Sequence, residues 1–240
     1  MNVLTRLWDH VYASQPAPPA WVVGVTALAA LLLVLNTASW RLAGKVITIA
    51  HEGGHALVSV LSGRRLEGIR LHTDSSGVTY SRGKRRGPGM VLTAAAGYVT
   101  PPLLGAGAAA LLAARHPAAL LWLALVLLAA TFLAVRNAFG ALAVLVTAAG
   151  VFAVSYYASA AVQGGFAYLA AWFLLLGGMR PALELTRRRR GSRSRSSSRS
   201  GLSDADQLAR LTGVSRGVWV TAFVLIATAA LALGARLLIP

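Results

Sequence analysis

The five residues HEGGH, from His51 to His55, combine side chains that can bind a metal and move a proton. On a helix, residues four apart share a face, so His51 and His55 can reach one zinc ion together. Two histidines in this spacing leave a coordination position open, and Glu52 can lie beside it. Zinc lowers the pKa of a bound water towards about 7, and Glu52 would pass that water's proton to a leaving amine. The spacing therefore predicts metal-assisted hydrolysis with Zn²⁺ as cofactor.

The motif lies inside the apolar run VITIAHEGGHALVSVLSG, where polar side chains are costly. A charged group at the centre of a membrane span costs about 2.5–3.5 kcal/mol, and such residues usually mark function. A polar cluster that only joins helices is the alternative interpretation. Gly53 and Gly54 each give up about 1 kcal/mol of helix propensity relative to alanine. They predict close approach of another backbone, either a neighbouring helix or an extended substrate.

A catalytic zinc site needs a third protein ligand, and the chain has no cysteine to supply it. Asp204 and Asp206 open the segment before the last apolar run and are candidates. Ser203 and Asp206 also have the spacing of a capping box, so helix capping explains this segment as well. The remaining candidates are Glu67, His72, Asp74 and Glu184.

The composition is that of a membrane protein. Of the 240 residues, 56% are hydrophobic and 12% are charged, whereas roughly one quarter of a soluble domain is charged. We therefore predict an all-α polytopic membrane protein with six to seven transmembrane helices and a small cytoplasmic β-hairpin. Pro101 and Pro102 in the third span predict a kinked or broken helix that packs against protein. The candidate spans are residues 20–36, 44–61, 89–114, 118–135, 138–158, 163–179 and 217–238.

Basic residues are distributed unevenly between the loops. If the loop 62–88 is cytoplasmic, alternation of the seven spans places 19 of the 23 lysine and arginine residues on the cytoplasmic side. This bias follows the positive-inside rule and predicts a multi-pass protein with its N-terminus and basic loops in the cytoplasm. It also accounts for the net charge of +16 without nucleic acid, so the partner expected of these loops is the lipid bilayer.

The loop 62–88 contains a pattern unlike the rest of the chain. Apolar and polar residues alternate on both sides of the turn sequence DSSG, which predicts a β-hairpin over residues 66–82. An edge of this hairpin could pair with an extended peptide, or the segment could simply pack as a loop.

Four regions are expected along the chain, according to these changes in composition. Residues 1–19 are an N-terminal interfacial helix and linker, residues 20–186 are the transmembrane core with the hairpin loop, residues 187–202 are a disordered Arg/Ser-rich tether, and residues 203–240 are a short cytoplasmic helix with the final transmembrane helix.

Several stretches resemble the site-2-protease-like membrane zinc metallopeptidases. They are the HEGGH span, the hairpin GRRLEGIRLHTDSSGVTYSR and the span AAGYVTPPLLG. The stretches RNAFG, GGMR and SDADQLARLTG extend the resemblance to the smaller bacterial branch of that family, over about residues 40–235. The resemblance implies a zinc endopeptidase of the bacterial plasma membrane. Its substrates would be membrane proteins, cut in or near their transmembrane segments.

The resemblance also assigns roles to residues. It implies that His51 and His55 are zinc ligands, that Glu52 is the catalytic base, and that Asp204 rather than Asp206 is the third ligand. The better-studied members carry an aspartate ligand in an Asn-x-x-Asp-Gly-type motif, but here RNAFG has Phe139 at that place. Asn137 of this motif is expected to contact a substrate carbonyl.

Two other functions remain open at the level of the sequence. The missing aspartate in RNAFG is compatible with a catalytically inactive membrane protein of the same fold that acts as a binding or scaffold partner. An ion site in a transporter would also use buried histidine and glutamate, but the sequence has no paired inverted repeat to support it.

Overall fold

The computed structural model describes residues 14–191 and 203–239. The predicted interfacial helix, within residues 1–19, falls almost entirely outside them. In the described residues the chain forms eight α-helices and one antiparallel two-stranded sheet. These are α1 (Ala20–Leu35), α2 (Thr37–Leu61), β1 (Arg65–Leu71), β2 (Gly77–Arg82), α3 (Pro88–Ala113), α4 (Pro117–Ala134), α5 (Ala138–Tyr157), α6 (Ala160–Gly191), α7 (Asp204–Thr212) and α8 (Arg216–Leu238).

The helices confirm a polytopic all-α membrane fold with a small hairpin. Five of them, α3 to α6 and α8, are long and apolar enough to cross a membrane, and α1 and α2 meet this condition only as a bent pair, which gives up to six crossings. The two predicted spans 20–36 and 44–61 thus form one bent pair, whose axes meet at 101°. Asn36 sits at the bend and caps α2, because its side chain accepts hydrogen bonds from the backbone N–H groups of Ala38 and Ser39 at 2.8 and 3.1 Å.

Arg180 of α6, in the GGMR stretch, stabilises this bend from the side. Its guanidinium donates to the backbone oxygen of Val34, near the end of α1. The same guanidinium lies 4.5 Å from the ring centroid of Trp40 in α2 and forms an ion pair of 3.1 Å with Glu184. The last turn of α1 and the first turn of α2 are therefore held by one side chain.

The bend changes the predicted topology. The backbone N–H of Gln15 donates to the oxygen of Arg115 at 2.9 Å, just beyond the last residue of α3. The hairpin ends at Arg82, a short loop before α3 begins at Pro88, so Gln15 and the hairpin lie at opposite ends of that helix. The prediction that the N-terminal segment shares the side of the basic hairpin loop is therefore wrong for the described residues before α1.

Alternation of the predicted spans would put Lys45, at the start of span 44–61, on the side opposite the hairpin loop. Its ammonium group donates to the oxygen of Thr73 in the hairpin turn at 2.9 Å, so Lys45 lies on the hairpin side. The physical reason is the same bend, because residues 37–43 continue as helix instead of forming a loop on the opposite surface. The correction moves another basic residue to the hairpin side and leaves the positive-inside bias intact.

Helix α3 occupies the centre of the bundle, between α2, α6 and α8. Pro101 and Pro102 are buried within it. Half of the most apolar 18 residues of this helix are buried by the rest of the protein. Packing against protein is thus confirmed, whereas a break is not, because α3 is continuous from Pro88 to Ala113. Gly178 of α6 packs directly on the two prolines, where a Cβ atom would lie 2.8 Å from the Cδ of Pro102.

The hairpin is wedged between α2 and the α4–α5 pair. Thr79 pairs with Ile69, which is fully buried among residues of α2, α4 and α5. Ile69 also forms a parallel bridge with Val135, and its oxygen accepts the backbone N–H of Arg136 at 2.8 Å. The hairpin is therefore an inserted element of the fold rather than a free loop.

The region between α6 and α8 differs in part from the prediction. Helix α6 continues to Gly191, so residues 187–191 of the predicted tether are helical, and residues 192–202 lie outside the described part of the chain. Beyond them, Ser203 and Asp206 form the capping box that the sequence indicated at the start of α7. Ala205 and Leu208 are fully buried against α3, α6 and α8, which fixes α7 under the bundle.

Candidate metal centre

Three side chains converge on one point at the hairpin end of the bundle. His51 Nε2 and His55 Nε2 lie 3.2 Å apart. Asp204 Oδ2 lies 3.2 Å from His51 Nε2 and 3.1 Å from His55 Nε2. These three atoms form a nearly equilateral triangle of donors, and they could hold a metal ion.

The triangle has the size that a tetrahedral metal requires. With bonds of about 2.0–2.1 Å to nitrogen and oxygen, the ligand atoms around tetrahedral zinc lie roughly 3.3 Å apart. The observed separations of 3.1 and 3.2 Å are close to this value. Two imidazoles and one carboxylate are also the donor set of many catalytic zinc sites.

Helix α2 and its contact with α3 orient the histidines. His51 and His55 are one helical turn apart, so both rings point to the same side of α2. His55 Nδ1 lies 2.7 Å from the backbone oxygen of Thr93 in α3. A carbonyl can only accept, so Nδ1 carries a proton, which leaves Nε2 as the ring nitrogen that could bind a metal.

Helix α7 delivers the carboxylate. Asp204 is its first residue, and the Ser203–Asp206 capping box beside it fixes how α7 begins. Burial alone would raise the pKa of Asp204, but hydrogen bonds from His51 and His55 outweigh that effect and lower the pKa well below its ordinary value. Asp204 is thus held as a carboxylate, the form in which it can bind a cation.

Asp206, the alternative ligand, is used differently. Its Oδ2 accepts from the hydroxyl of Ser203 at 2.5 Å, and its Oδ1 forms an ion pair of 3.0 Å with Arg216. The structure therefore brings Asp204 to the histidines and uses Asp206 to cap and tie down α7.

The other candidate ligands have partners elsewhere. Glu67 pairs with Arg82 at 2.9 Å, and Glu184 pairs with Arg180. His72 and Asp74 both contact Ser76 in the hairpin turn, with Asp74 accepting from the Ser76 hydroxyl at 2.6 Å. None of these four side chains belongs to the donor triangle.

Gly97 of α3 closes the back of the site. A Cβ atom at this position would lie 2.4 Å from His55 Nε2 and 2.5 Å from His51 Nε2, so a larger residue there would have to displace both imidazoles. The next residue, Tyr98, packs edge-on against His51 with ring centroids 4.9 Å apart, and it stacks on Phe223 of α8 at 5.0 Å. The AAGYV stretch of α3 thus forms one wall of the site.

The two glycines of the motif, Gly53 and Gly54, face two different neighbouring helices. A Cβ on Gly54 would lie 2.2 Å from the hydroxyl oxygen of Thr100, so Gly54 admits helix α3. Gly53 faces Thr131 of α4 at an ordinary contact distance of 3.5 Å. The neighbouring-helix explanation therefore applies to Gly54.

Glu52 follows His51 on α2 and is almost fully buried, with 4% of its surface exposed. Its Oε2 accepts a hydrogen bond of 2.6 Å from the hydroxyl of Thr79 in β2. Gly77 of the same strand faces the other carboxylate oxygen, where a Cβ would lie 2.8 Å from Oε1. The carboxylate of Glu52 thus sits between α2 and β2.

Asn137 does not join this group. Its Nδ2 donates to the oxygen of Leu71 at 2.8 Å, and its Oδ1 accepts the N–H of the same residue at 3.2 Å. The side chain therefore bonds to the backbone of β1 as a neighbouring strand would, on the edge of β1 that faces away from β2. The structure thus shows both the Nδ2 and the Oδ1 of Asn137 bonded to the backbone of Leu71.

Sequence reasoning missed the residues that support the site from other elements. Thr93 and Gly97 of α3, and Gly77 and Thr79 of β2, contact the histidines or the glutamate only through tertiary packing. A signal did exist for two of them, because Gly97 belongs to AAGYVTPPLLG, and Thr79 to the alternating hairpin. Neither pattern indicates which side chain it would meet.

The chain matches a known protein family over most of its length. A family model described as Peptidase M50B-like matches residues 24–234, which includes both histidines, Glu52 and Asp204. A search of curated proteins returned no match, and a search of solved structures returned none.

Proposed function

The chain belongs to the Peptidase M50B-like family, and from this premise we propose that it is an intramembrane zinc endopeptidase. Its substrates would be membrane proteins, hydrolysed within or next to a transmembrane segment. The family supports a membrane peptidase of the site-2-protease type, as the resemblance of the motifs implied. We propose in addition that the metal is zinc, that Glu52 is the catalytic base and that the substrates are membrane proteins.

The donor triangle of His51, His55 and Asp204 carries the proposal. Its atoms have the separation of tetrahedral zinc ligands, and the tautomer of His55 is fixed for metal binding by Thr93. A polar cluster that merely joins helices would have no need of a glycine at Gly97, whose missing side chain leaves space at both Nε2 atoms.

Glu52 would act as the proton carrier of the reaction. When bound, zinc would supply a polarised water and a Lewis acid for the scissile carbonyl. Glu52 would accept a proton from that water and return it to the leaving amine. Burial of this carboxylate excludes bulk water from the transfer, and its place directly after His51 on α2 keeps it beside the metal position.

The hairpin offers a way to hold an extended substrate. Strand β2 pairs with β1 on one edge, and among the described residues no strand occupies its other edge. A peptide in strand conformation could add to this edge next to Glu52, with its backbone N–H and C=O groups satisfied by β2. A helical transmembrane substrate would have to unwind locally to bind in this way.

Glu52→Gln gives the decisive test. Membranes from cells that produce the wild type or this variant are compared by mass spectrometry of protein N-termini, and zinc is measured in both purified proteins. We expect new N-termini in or near transmembrane segments only with the wild type, and about one zinc per chain in both. Retained zinc with equal sets of N-termini would favour the inactive scaffold, and absence of zinc from both would end the metallopeptidase proposal.

A further inference from the structure

We infer that Thr79 of β2 is a positioning residue for the catalytic base, and that Gly77 provides the space in which that base is held. The inference deepens the proposed function and rests on it. In this arrangement the hairpin is part of the active site itself, because it fixes the carboxylate that moves the proton.

The contact between Thr79 and Glu52 is short and doubled. The Thr79 hydroxyl lies 2.6 Å from Glu52 Oε2 and 3.1 Å from the backbone oxygen of Glu52. A carboxylate hydrogen-bonded at 2.6 Å is a charge-assisted contact, which is stronger than one between neutral groups. In the described part of the chain, Thr79 supplies the side-chain hydrogen bond to this buried carboxylate.

Gly77 limits the other side of the carboxylate. A Cβ at position 77 would lie 2.6 Å from Glu52 Cγ, 2.8 Å from Oε1 and 2.9 Å from Cδ. Those distances are below any normal contact, so the rotamer of Glu52 exists only because residue 77 has no side chain. Thr79 and Gly77 are two residues apart on one strand and therefore face α2 together.

The strand that carries both residues is itself fixed to the bundle. Lys45 and Thr48 of α2 donate to the backbone oxygens of Thr73 and Ser75 in the hairpin turn, each at 2.9 Å. Together with Glu52, these residues occupy one face of α2 and bind the hairpin at three levels. Asn137 binds the backbone of Leu71 from the opposite edge.

A fixed donor has a chemical consequence. A carboxylate that can rotate would sample positions away from the reacting water, whereas one held at Oε2 by Thr79 keeps Oε1 in a single direction. Loss of a hydrogen bond that orients a metal ligand typically costs about 10- to 100-fold in metal affinity or activity, and we expect an effect of the same order for the residue that orients Glu52. Thr79 acts through Glu52 and is not itself expected to touch the substrate.

The test observes Glu52 directly, by carbon NMR of full-length protein labelled at glutamate Cδ in lipid nanodiscs. The chain has three glutamates, Glu52, Glu67 and Glu184, so the spectrum is simple, and Glu52→Gln assigns the signal of interest. Thr79→Val removes the hydroxyl at constant shape, and Thr79→Ser keeps it. Ser81→Ala is the matched control, because it removes another hydroxyl from the same face of β2, one that is bonded to Arg64 instead.

We expect the Glu52 signal to move in Thr79→Val and to stay near its wild-type position in Thr79→Ser and Ser81→Ala. An unmoved signal in Thr79→Val would overturn the inference, and so would an equal displacement in Thr79→Ser, which would assign the effect to packing of the methyl group. Gly77→Ala is the second variant if Thr79→Val does not fold. It must displace the same signal, and an unchanged signal counts against the inference.

Cleavage assays separate this inference from the proposed function. Thr79→Val should lower kcat about 10- to 100-fold with KM and bound zinc unchanged, whereas Thr79→Ser should recover most of kcat. A Thr79→Val protein as active as Ser81→Ala would refute the positioning role and leave the peptidase intact. If the Glu52 signal moves as expected in Thr79→Val but the wild type cleaves no substrate, the peptidase proposal is refuted and the contact between Thr79 and Glu52 is established.

Discussion

His55 Nε2 and Asp204 Oδ2 lie 3.1 Å apart although 149 residues separate them along the chain. His55 belongs to the long helix α2, and Asp204 is the first residue of the nine-residue helix α7. The donor triangle therefore exists only while α7 is docked, through Ala205 and Leu208, against α3, α6 and α8. A metal held by all three donors would therefore require α7 to be docked.

Replacing Asp204 should remove the metal. In Asp204→Ala the triangle keeps only its two histidines, and we expect zinc affinity to fall by more than about 10-fold, because even outer contacts of a metal site are worth that much. Zinc content of the purified protein, measured by mass spectrometry after dialysis against a weak chelator, gives the result.

Asp206→Ala is the matched control for that experiment. It removes the capping box and the ion pair with Arg216 but leaves the donor triangle untouched. We expect zinc to be retained. The free energy of unfolding should fall by about 0.5–2 kcal/mol, the usual cost of a lost cap. If zinc were lost from Asp206→Ala and kept in Asp204→Ala, the ligand assignment would be reversed.

Gly97 gives a second test of the site that substitutes none of the three ligand residues. In Gly97→Ala the new Cβ would lie 2.4 and 2.5 Å from the Nε2 atoms of His55 and His51, so the imidazoles must move apart. We expect zinc binding to be lost while the helical content measured by circular dichroism stays unchanged.

Gly107→Ala serves as the control in the same helix. Nothing lies within 4 Å of a Cβ at Gly107, so this substitution should bind zinc normally and gain stability from the better helix propensity of alanine, by about 1 kcal/mol at most. Normal zinc content in Gly97→Ala would show that the metal does not bind where the triangle places it.

The local part of the site was predictable from the sequence. His51 and His55 sit in one helix, so their shared face follows from helical geometry alone, and the capping box of Ser203 with Asp206 is equally local. The hairpin was predictable because alternation and a turn sequence define it within a few residues.

What the sequence did not indicate depends on contacts between distant elements. The bend at Asn36 could not be foreseen, because two apolar runs around one polar residue fit a loop between spans as well as a broken helix. Nothing in the local sequence distinguishes Thr79 and Asn137 from other polar residues. Their contacts form because the hairpin packs against α2 on one side and the start of α5 on the other. Such roles appear only when the tertiary arrangement is known.

Asn137 is predicted to stabilise the hairpin rather than to bind substrate directly. In Asn137→Ala the backbone N–H and C=O of Leu71 lose their partners, and we expect faster hydrogen exchange at the end of β1. Hydrogen exchange followed by mass spectrometry of the hairpin peptide would detect this. Unchanged exchange together with a raised KM would instead support the direct substrate contact.

The orientation of the N-terminal segment can be tested with introduced thiols, because the chain contains no cysteine. Gln15→Cys places a thiol next to Arg115, at the end of α3 away from the hairpin, and Lys84→Cys places one in the loop that follows β2. In sealed vesicles, a membrane-impermeant maleimide should label one of these two positions and not the other.

A third thiol makes that experiment interpretable. Arg115→Cys should label together with Gln15→Cys, because the two residues are hydrogen-bonded through their backbones. Detergent must then expose all three thiols to the reagent, which excludes burial as the cause of a negative result. Labelling of Gln15→Cys together with Lys84→Cys, but not with Arg115→Cys, would restore the topology in which the N-terminal segment and the basic hairpin share the cytoplasmic side.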